Sequence, residues 1–249
     1  MEKEVDMKEK YYLIHFSSFL TSYKDDSNRD EVGLNNLLGI IENGFRFNKG
    51  ATFTPIQPNG KQGIKLNIGM ICLTEVRFGE ILYNAKKLGK FGICMKREWV
   101  NKYSGQPVLY SSKHSVNNKV LNSLNNLITQ TNNIFLENND YRLKNITSSI
   151  ADISNHFQAI TEIIKYKYEN EWRIIDDPQN DELQKALIPW QKIEIVNNCE
   201  IYSSVFFLPI SNGDDAEFFI IPKKFREAFC NKVINPDINK KKIMFFEEL

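Results

Sequence analysis

Long hydrophobic runs are missing from this 249-residue chain. No apolar stretch approaches the roughly 20 residues needed to cross a bilayer, and the opening residues MEKEVDMKEK are charged where a secretory signal would be apolar. Cysteine is scarce. Cys72, Cys94, Cys199 and Cys230 lie far apart, three of them in apolar runs, so the expectation is a cytoplasmic protein with reduced thiols. His15, His114 and His156 show no ligand spacing to one another or to cysteine, which argues against a structural metal site. An excess of one charge is absent too: 32 basic residues face 31 acidic ones, for a formal charge of +1. Nucleic-acid binding would therefore rest on local patches such as NAKKLGK, MKREWVNK and NKKK, each of which is more often just a solvated face. The chain also lacks a glycine-rich nucleotide fingerprint and a repeating βαβ unit, which argues against a doubly wound or P-loop architecture.

What is present is a mixed succession of strand and helix signals. YYLIHFSSF (Tyr11 to Phe19) is aromatic and β-branched enough for an opening strand. In DEVGLNNLLGIIENGF the apolar Leu34, Leu37, Leu38 and Ile41 recur at helical spacing, with Asp30 placed to cap the helix, Gly44 to stop it and Phe45 to pack back. The loop from Phe47 to Asn67 is rich in glycine and proline and long enough to cover a ligand. IGMICLTEV reads as a buried strand, RFGEILYNAKKLG as a short amphipathic helix, and KFGICMK and QPVLYSS as further strands. Two helical runs follow, with Val120, Leu121, Leu124, Leu127 and Ile128 in the first and Ile146, Ile150, Ile153, Phe157, Ile160 and Ile164 in the second; both stripes are expected to be core. Strands return in EWRII, QKIEIV, SVFFLPI and AEFFIIP, and PKKFREAFCNKVI reads as a late helix. The organisation expected is one α+β domain over 1–249 with a helical insertion over approximately 114–165.

KYKYENEWRII (Lys165 to Ile175) puts Glu169 and Glu171 on alternate residues where a polar segment turns apolar. Side chains two apart on a strand share a face, about 6 to 7 Å from each other, which suits a paired-carboxylate site. The plainer reading makes Glu169 a helix-end residue and Glu171 a solvated strand-edge residue, each paired with Lys165, Lys167 or Arg173. By the same alternation Arg173 shares the face of Glu171, where it can orient the carboxylate or neutralise it.

Three segments resemble the NAD-consuming ADP-ribosyltransferases. YLIHFSS, carrying His15, looks like the NAD-anchoring first strand of DarT-like DNA ADP-ribosyltransferases; ICLTEVRFGEIL is similar to the segment holding the nicotinamide ribose; ENEWRII looks like the strand bearing the catalytic glutamate. More closely, GKFGICMKREWVNKYSGQPVLYSSKH followed by YENEWRII resembles the AbiGi family of bacterial abortive-infection, phage-resistance proteins, over most of Tyr12 to Arg173. The resemblance implies an ADP-ribosyltransferase-like split mixed β-sheet core, with NAD as substrate and no metal. It further implies that His15 hydrogen-bonds an NAD ribose hydroxyl, that Thr74 lies beside the nicotinamide ribose, and that Glu169 faces the acceptor. Glu171 would be the catalytic carboxylate, stabilising an oxocarbenium-like ribose. Tyr83, Tyr110 and Phe78 are the rings on offer for stacking on nicotinamide. Without the resemblance, His15 in an apolar strand reads as a satisfied core histidine and Thr74 as an ordinary strand residue.

Three functions follow from the likeness. The first is an NAD-dependent ADP-ribosyltransferase toxin or effector of anti-phage defence, modifying a nucleic-acid or protein acceptor and held by a cognate antitoxin. The second keeps the framework as a catalytically inactive binding module, the antitoxin-like half of a two-gene system. The third is an NAD glycohydrolase with water as acceptor.

Overall fold

The computed structural model describes residues 10–17, 26–48, 69–111, 116–138, 141–163, 170–196, 199–210, 214–233, 238 and 241–249. Its described residues form two compact units, one drawn from within 10–48, 69–106 and 170–249, the other from within 107–163. The architecture is mixed α+β.

The first unit is built on a mixed sheet. Its strands are β1 (Tyr11–Phe16), β3 (Met70–Arg77), β4 (Gly92–Met95), β8 (Glu171–Ile175), β11 (Ala216–Ile221) and β12 (Lys242–Phe245), with the two-residue β5 (Gln106–Pro107) at one edge, in the order β12-β11-β4-β1-β3-β8-β5. β1 lies in the middle and pairs antiparallel with both β3 and β4, while β11 and β12 run parallel. Because β1 is covered on both sides, its sequence YYLIHF is apolar in both registers of the alternation. Leu13 turns to one face with Ile71, Leu73, Ile93, Ile174 and Phe219. Tyr12, Ile14 and Phe16 turn to the other with Val76, Phe218 and Ile220.

Helices cover both faces. α1 (Asp26–Asn43) buries Leu34 and Leu37 on the Leu13 side. It ends as the glycine predicts: Gly44 takes φ +94° and its N–H donates to the Ile40 carbonyl at 2.8 Å, a left-handed cap that returns the chain so that Phe45 is buried. The helix begins at Asp26, however, so Asp30 sits within it and is not its cap. Its buried carboxylate instead meets Lys224 at 2.9 Å and Lys90 at 3.5 Å. α2 (Ile81–Leu88) lays Ile81 and Ala85 on the Tyr12 side. α3 (Arg97–Lys102) buries Trp99 and Val100. A second, three-stranded sheet joins β2 (Phe45–Asn48), β10 (Cys199–Leu208) and β9 (Ile188–Val196), with Phe45 opposite Leu208. Beyond Asn48, the long loop expected to cover a ligand lies outside the described residues.

In the second unit, β6 (Leu109–Ser111) runs parallel to β7 (Thr161–Ile163), and α4 (Val116–Asn138) packs along α5 (Tyr141–Ala159). The segment QPVLYSS is thus not one strand: it breaks at Val108 into β5 and β6. The expectation that both helical stripes are core is corrected as well. Leu124, Ile128, Ile150 and Phe157 are partly buried, but Val120, Leu127, Ile146 and Ile153 are exposed. A period of 3.6 marks which residues share a face and says nothing of what covers it. No helix among the described residues is long and apolar enough to cross a membrane.

Candidate functional site

Register decides which candidate residues meet. Thr74 on β3 lies opposite Ile14 on β1 and opposite Glu171 on β8, and residues directly opposed across antiparallel strands share a face. Thr74 and Glu171 are therefore neighbours on the Tyr12 face of the sheet. Two residues along, Cys72 opposes Arg173 on the same face. The result is a four-residue polar patch, Cys72, Thr74, Glu171 and Arg173, set in a sheet whose other positions are largely apolar.

Within that patch Arg173 grips Glu171 with two parallel hydrogen bonds. Nε donates to Oε1 at 2.9 Å and Nη2 to Oε2 at 2.8 Å, with the two side chains only 3% and 12% exposed. The i, i+2 spacing on a strand makes this clamp, as the alternation predicts. Asn170, at φ +41°, lies just before the strand, and its carbonyl accepts from the Glu75 N–H at 2.9 Å, which fixes where β8 starts. Both carboxylate oxygens of Glu171 are thus engaged by a cation that is itself buried. Burial pushes the Cys72 thiol well above its usual range, and the Glu171 carboxylate adds to the shift while Arg173 opposes it. The thiol is a neutral, unreactive group here.

His15 lies on the opposite face. It follows Ile14 in the strand, and its ring meets Phe45 edge-to-face at 5.2 Å, in the core that also holds Leu13, Leu73 and Trp99. Paired residues of β1 and β3 stop at Ile14 and Thr74, and the His15 ring takes over where they stop: Nδ1–H donates to the Cys72 carbonyl at 2.8 Å. β3 also stands between the strands bearing His15 and Glu171. The structure thus brings Thr74 to Glu171 but not His15 to either. Tyr83 points outward from α2, 57% exposed, with the Lys87 ammonium 4.1 Å from its ring centre. Glu169 lies outside the described residues.

Burial lowers the His15 pKa, with the hydrogen bond to Cys72 acting in the other direction, so the folded chain holds the ring neutral. The unfolded chain takes up a proton near pH 6.5 that the folded chain refuses. The contribution of His15 to stability is therefore complete above that pH and is lost as pH falls below it. Urea midpoints measured from pH 7.5 to pH 5 should decline less steeply in His15→Asn, which keeps a donor and removes the titration, than in the native chain.

Sequence reasoning missed Cys72 as a member of the patch, because its place opposite Arg173 depends on strand pairing across a hundred residues. It missed the Asp30 pair with Lys90 and Lys224 for the same reason.

One comparison with known proteins gives a match. The model of the family described as "Putative abortive phage resistance protein AbiGi, antitoxin" matches residues 59–208. No curated protein and no solved structure matches.

Proposed function

The chain belongs to the AbiGi family, and on that premise we propose that it is a catalytically inactive binding module, the antitoxin-like half of a two-gene system that aborts phage infection. The Arg173–Glu171 clamp carries this reading. A glutamate that is to hold a ribose hydroxyl and stabilise a developing oxocarbenium ion must offer its oxygens and its charge to the substrate. Here both are given to a buried guanidinium, in a geometry that stabilises a strand. The partner is a second protein, a toxin encoded beside this one, and the setting is the cytoplasm, where the thiols stay reduced.

A second reading keeps one observation in its favour. Thr74 and Glu171 sit side by side on one sheet face, as an ADP-ribosyltransferase-like core would place the ribose contact and the catalytic carboxylate. In that reading NAD is the substrate, the acceptor is a nucleic acid, a protein or water, and Arg173 must swing away to release the carboxylate.

Two assays on the purified full chain separate the readings: release of nicotinamide from NAD, and rescue of bacterial growth when the chain is co-expressed with the product of the adjacent gene. The binding module predicts no nicotinamide above the buffer rate, restored growth and a complex that co-purifies. Nicotinamide release that Glu171→Gln abolishes, in a protein that still folds, overturns it in favour of the transferase or glycohydrolase.

A further inference from the structure

We propose that the α4–α5 hairpin is a self-association element, through which two copies of this chain meet face to face as four helices. This goes beyond the toxin-binding role and does not depend on it.

The starting observation is that the hairpin is apolar on its outside. Val116, Val120, Leu127 and Ile134 on α4 and Ile146 and Ile153 on α5 are between 38% and 73% exposed. They are not scattered. Val120, Leu127 and Ile134 are seven residues apart, as are Ile146 and Ile153, and seven residues return a helix to within about 20° of the same direction. The buried positions of α5 include the small Thr147 and Ser154, one residue after each exposed isoleucine. α5 thus covers Thr147 and Ser154 while Ile146 and Ile153 stand in the open beside the partly buried Ile150 and Phe157, where a fully solvated hairpin would show polar residues.

The two stripes come out on one side. On α4 the more covered Leu124 and Ile128 follow the middle of the exposed stripe in the sense of helical rotation, by about 60° to 100°; on α5 Thr147 and Ser154 follow it by about 100°. α4 ends at Asn138 and α5 begins at Tyr141, so the two helices pack antiparallel. When the axes are opposed, equal rotational offsets from the covered side point to the same side of the pair.

Charge and area select a second copy as the occupant. α4 carries Lys119 and Glu137 as its only charged residues, and its polar positions are otherwise Asn, Ser, Thr and Gln. α5 adds Arg142, Lys144 and Asp152, so the hairpin sets three basic residues against two acidic ones; a surface so nearly balanced has little to steer a partner of one sign, and two copies meet with little net repulsion. Self-complementary contact about a two-fold axis then needs only one such face. From Val116 to Ile134 the stripe is about 27 Å long, and two helices about 9 Å apart make a face of roughly 500 Å² per copy, or about 1,000 Å² in total. That is the lower limit for a specific interface, so the dimer should be concentration-dependent.

Sedimentation velocity from about 1 to 500 µM tests this on the full chain. The native protein should shift from monomer to dimer across that range, and the double variant Leu127→Glu with Ile153→Glu should stay monomeric with its melting temperature unchanged, since both side chains are exposed. Should the glutamates disturb folding, Leu127→Ser with Ile153→Ser should still weaken the dimer at least tenfold. A native chain that remains monomeric to 500 µM overturns the proposal, as does a dimer that neither double variant weakens. A chain that is monomeric alone but loses a 1:1 complex with the adjacent gene's product on these substitutions also overturns it, and assigns the face to that partner.

Discussion

Arg173→Leu should lower the melting temperature by roughly 6 to 20 °C. The substitution leaves the Glu171 carboxylate in a site it shares with the Cys72 thiol and Thr74, without the guanidinium that balances its charge. Removing one member of a buried ion pair costs about 3 to 5 kcal/mol, because the remaining charge is desolvated and unpaired. For a chain of this size each kcal/mol shifts the transition by about 2 to 4 °C. The companion experiment is the double variant Arg173→Leu with Glu171→Leu, which exchanges the pair for apolar groups and should recover most of the loss. Glu171→Gln should fall in between, since the amide still accepts one hydrogen bond while the guanidinium loses its counter-charge. Adding the single variant Glu171→Leu to the native chain, Arg173→Leu and the double variant closes a double-mutant cycle, and calorimetry on those four proteins reads the coupling between the two side chains directly.

Gly44→Ala is expected to be comparably severe, for a backbone reason. At φ +94° a side chain is strained in itself, and a methyl group there would lie 2.3 Å from the Leu208 carbonyl oxygen and 2.6 Å from the Pro209 Cα. Neither obstacle is the end of a flexible side chain, so β2 and β10 would have to part where Phe45 opposes Leu208. The strain alone costs about 1 to 3 kcal/mol, and opening the pairing adds to it. Gly39→Ala supplies the contrast: within α1, with nothing within 4 Å of the new methyl, it should raise stability by about 0.5 to 1 kcal/mol. Thermal melts of the two alanine variants should therefore move in opposite directions.

Local signals were readable where a local rule governs. The aromatic and β-branched run YYLIHF, the helical spacing of Leu34, Leu37, Leu38 and Ile41, the Gly44 stop and the Glu171–Arg173 pairing each depend on residues within one turn or one strand. What failed depended on partners far along the chain. Which face His15 occupies relative to Thr74 and Glu171 is set by registers between β1, β3 and β8 that no short pattern encodes. Asp30 has the composition of a helix cap, but Lys90 and Lys224 claim it inside the helix. The four-residue β12 went unread because so short a parallel edge strand carries no period of its own. The stripes of α4 and α5 were read correctly as apolar and wrongly as covered throughout, since Val120, Leu127, Ile146 and Ile153 are exposed.

The central position of β1 sets an order of events during synthesis. Its two neighbours, β3 and β4, are both complete by Met95, so a three-stranded antiparallel nucleus can form on the ribosome early. The strands that flank that nucleus, β8 and β11, begin only at Glu171 and Ala216. At translation rates of about 5 to 20 residues per second, the outer edges of β3 and β4 stay bare for several seconds. Bare edges of buried, apolar strands are templates for pairing with another nascent chain. Soluble yield in a cell should therefore respond to the speed at which codons between those two points are read and to the supply of chaperones that shield the growing sheet.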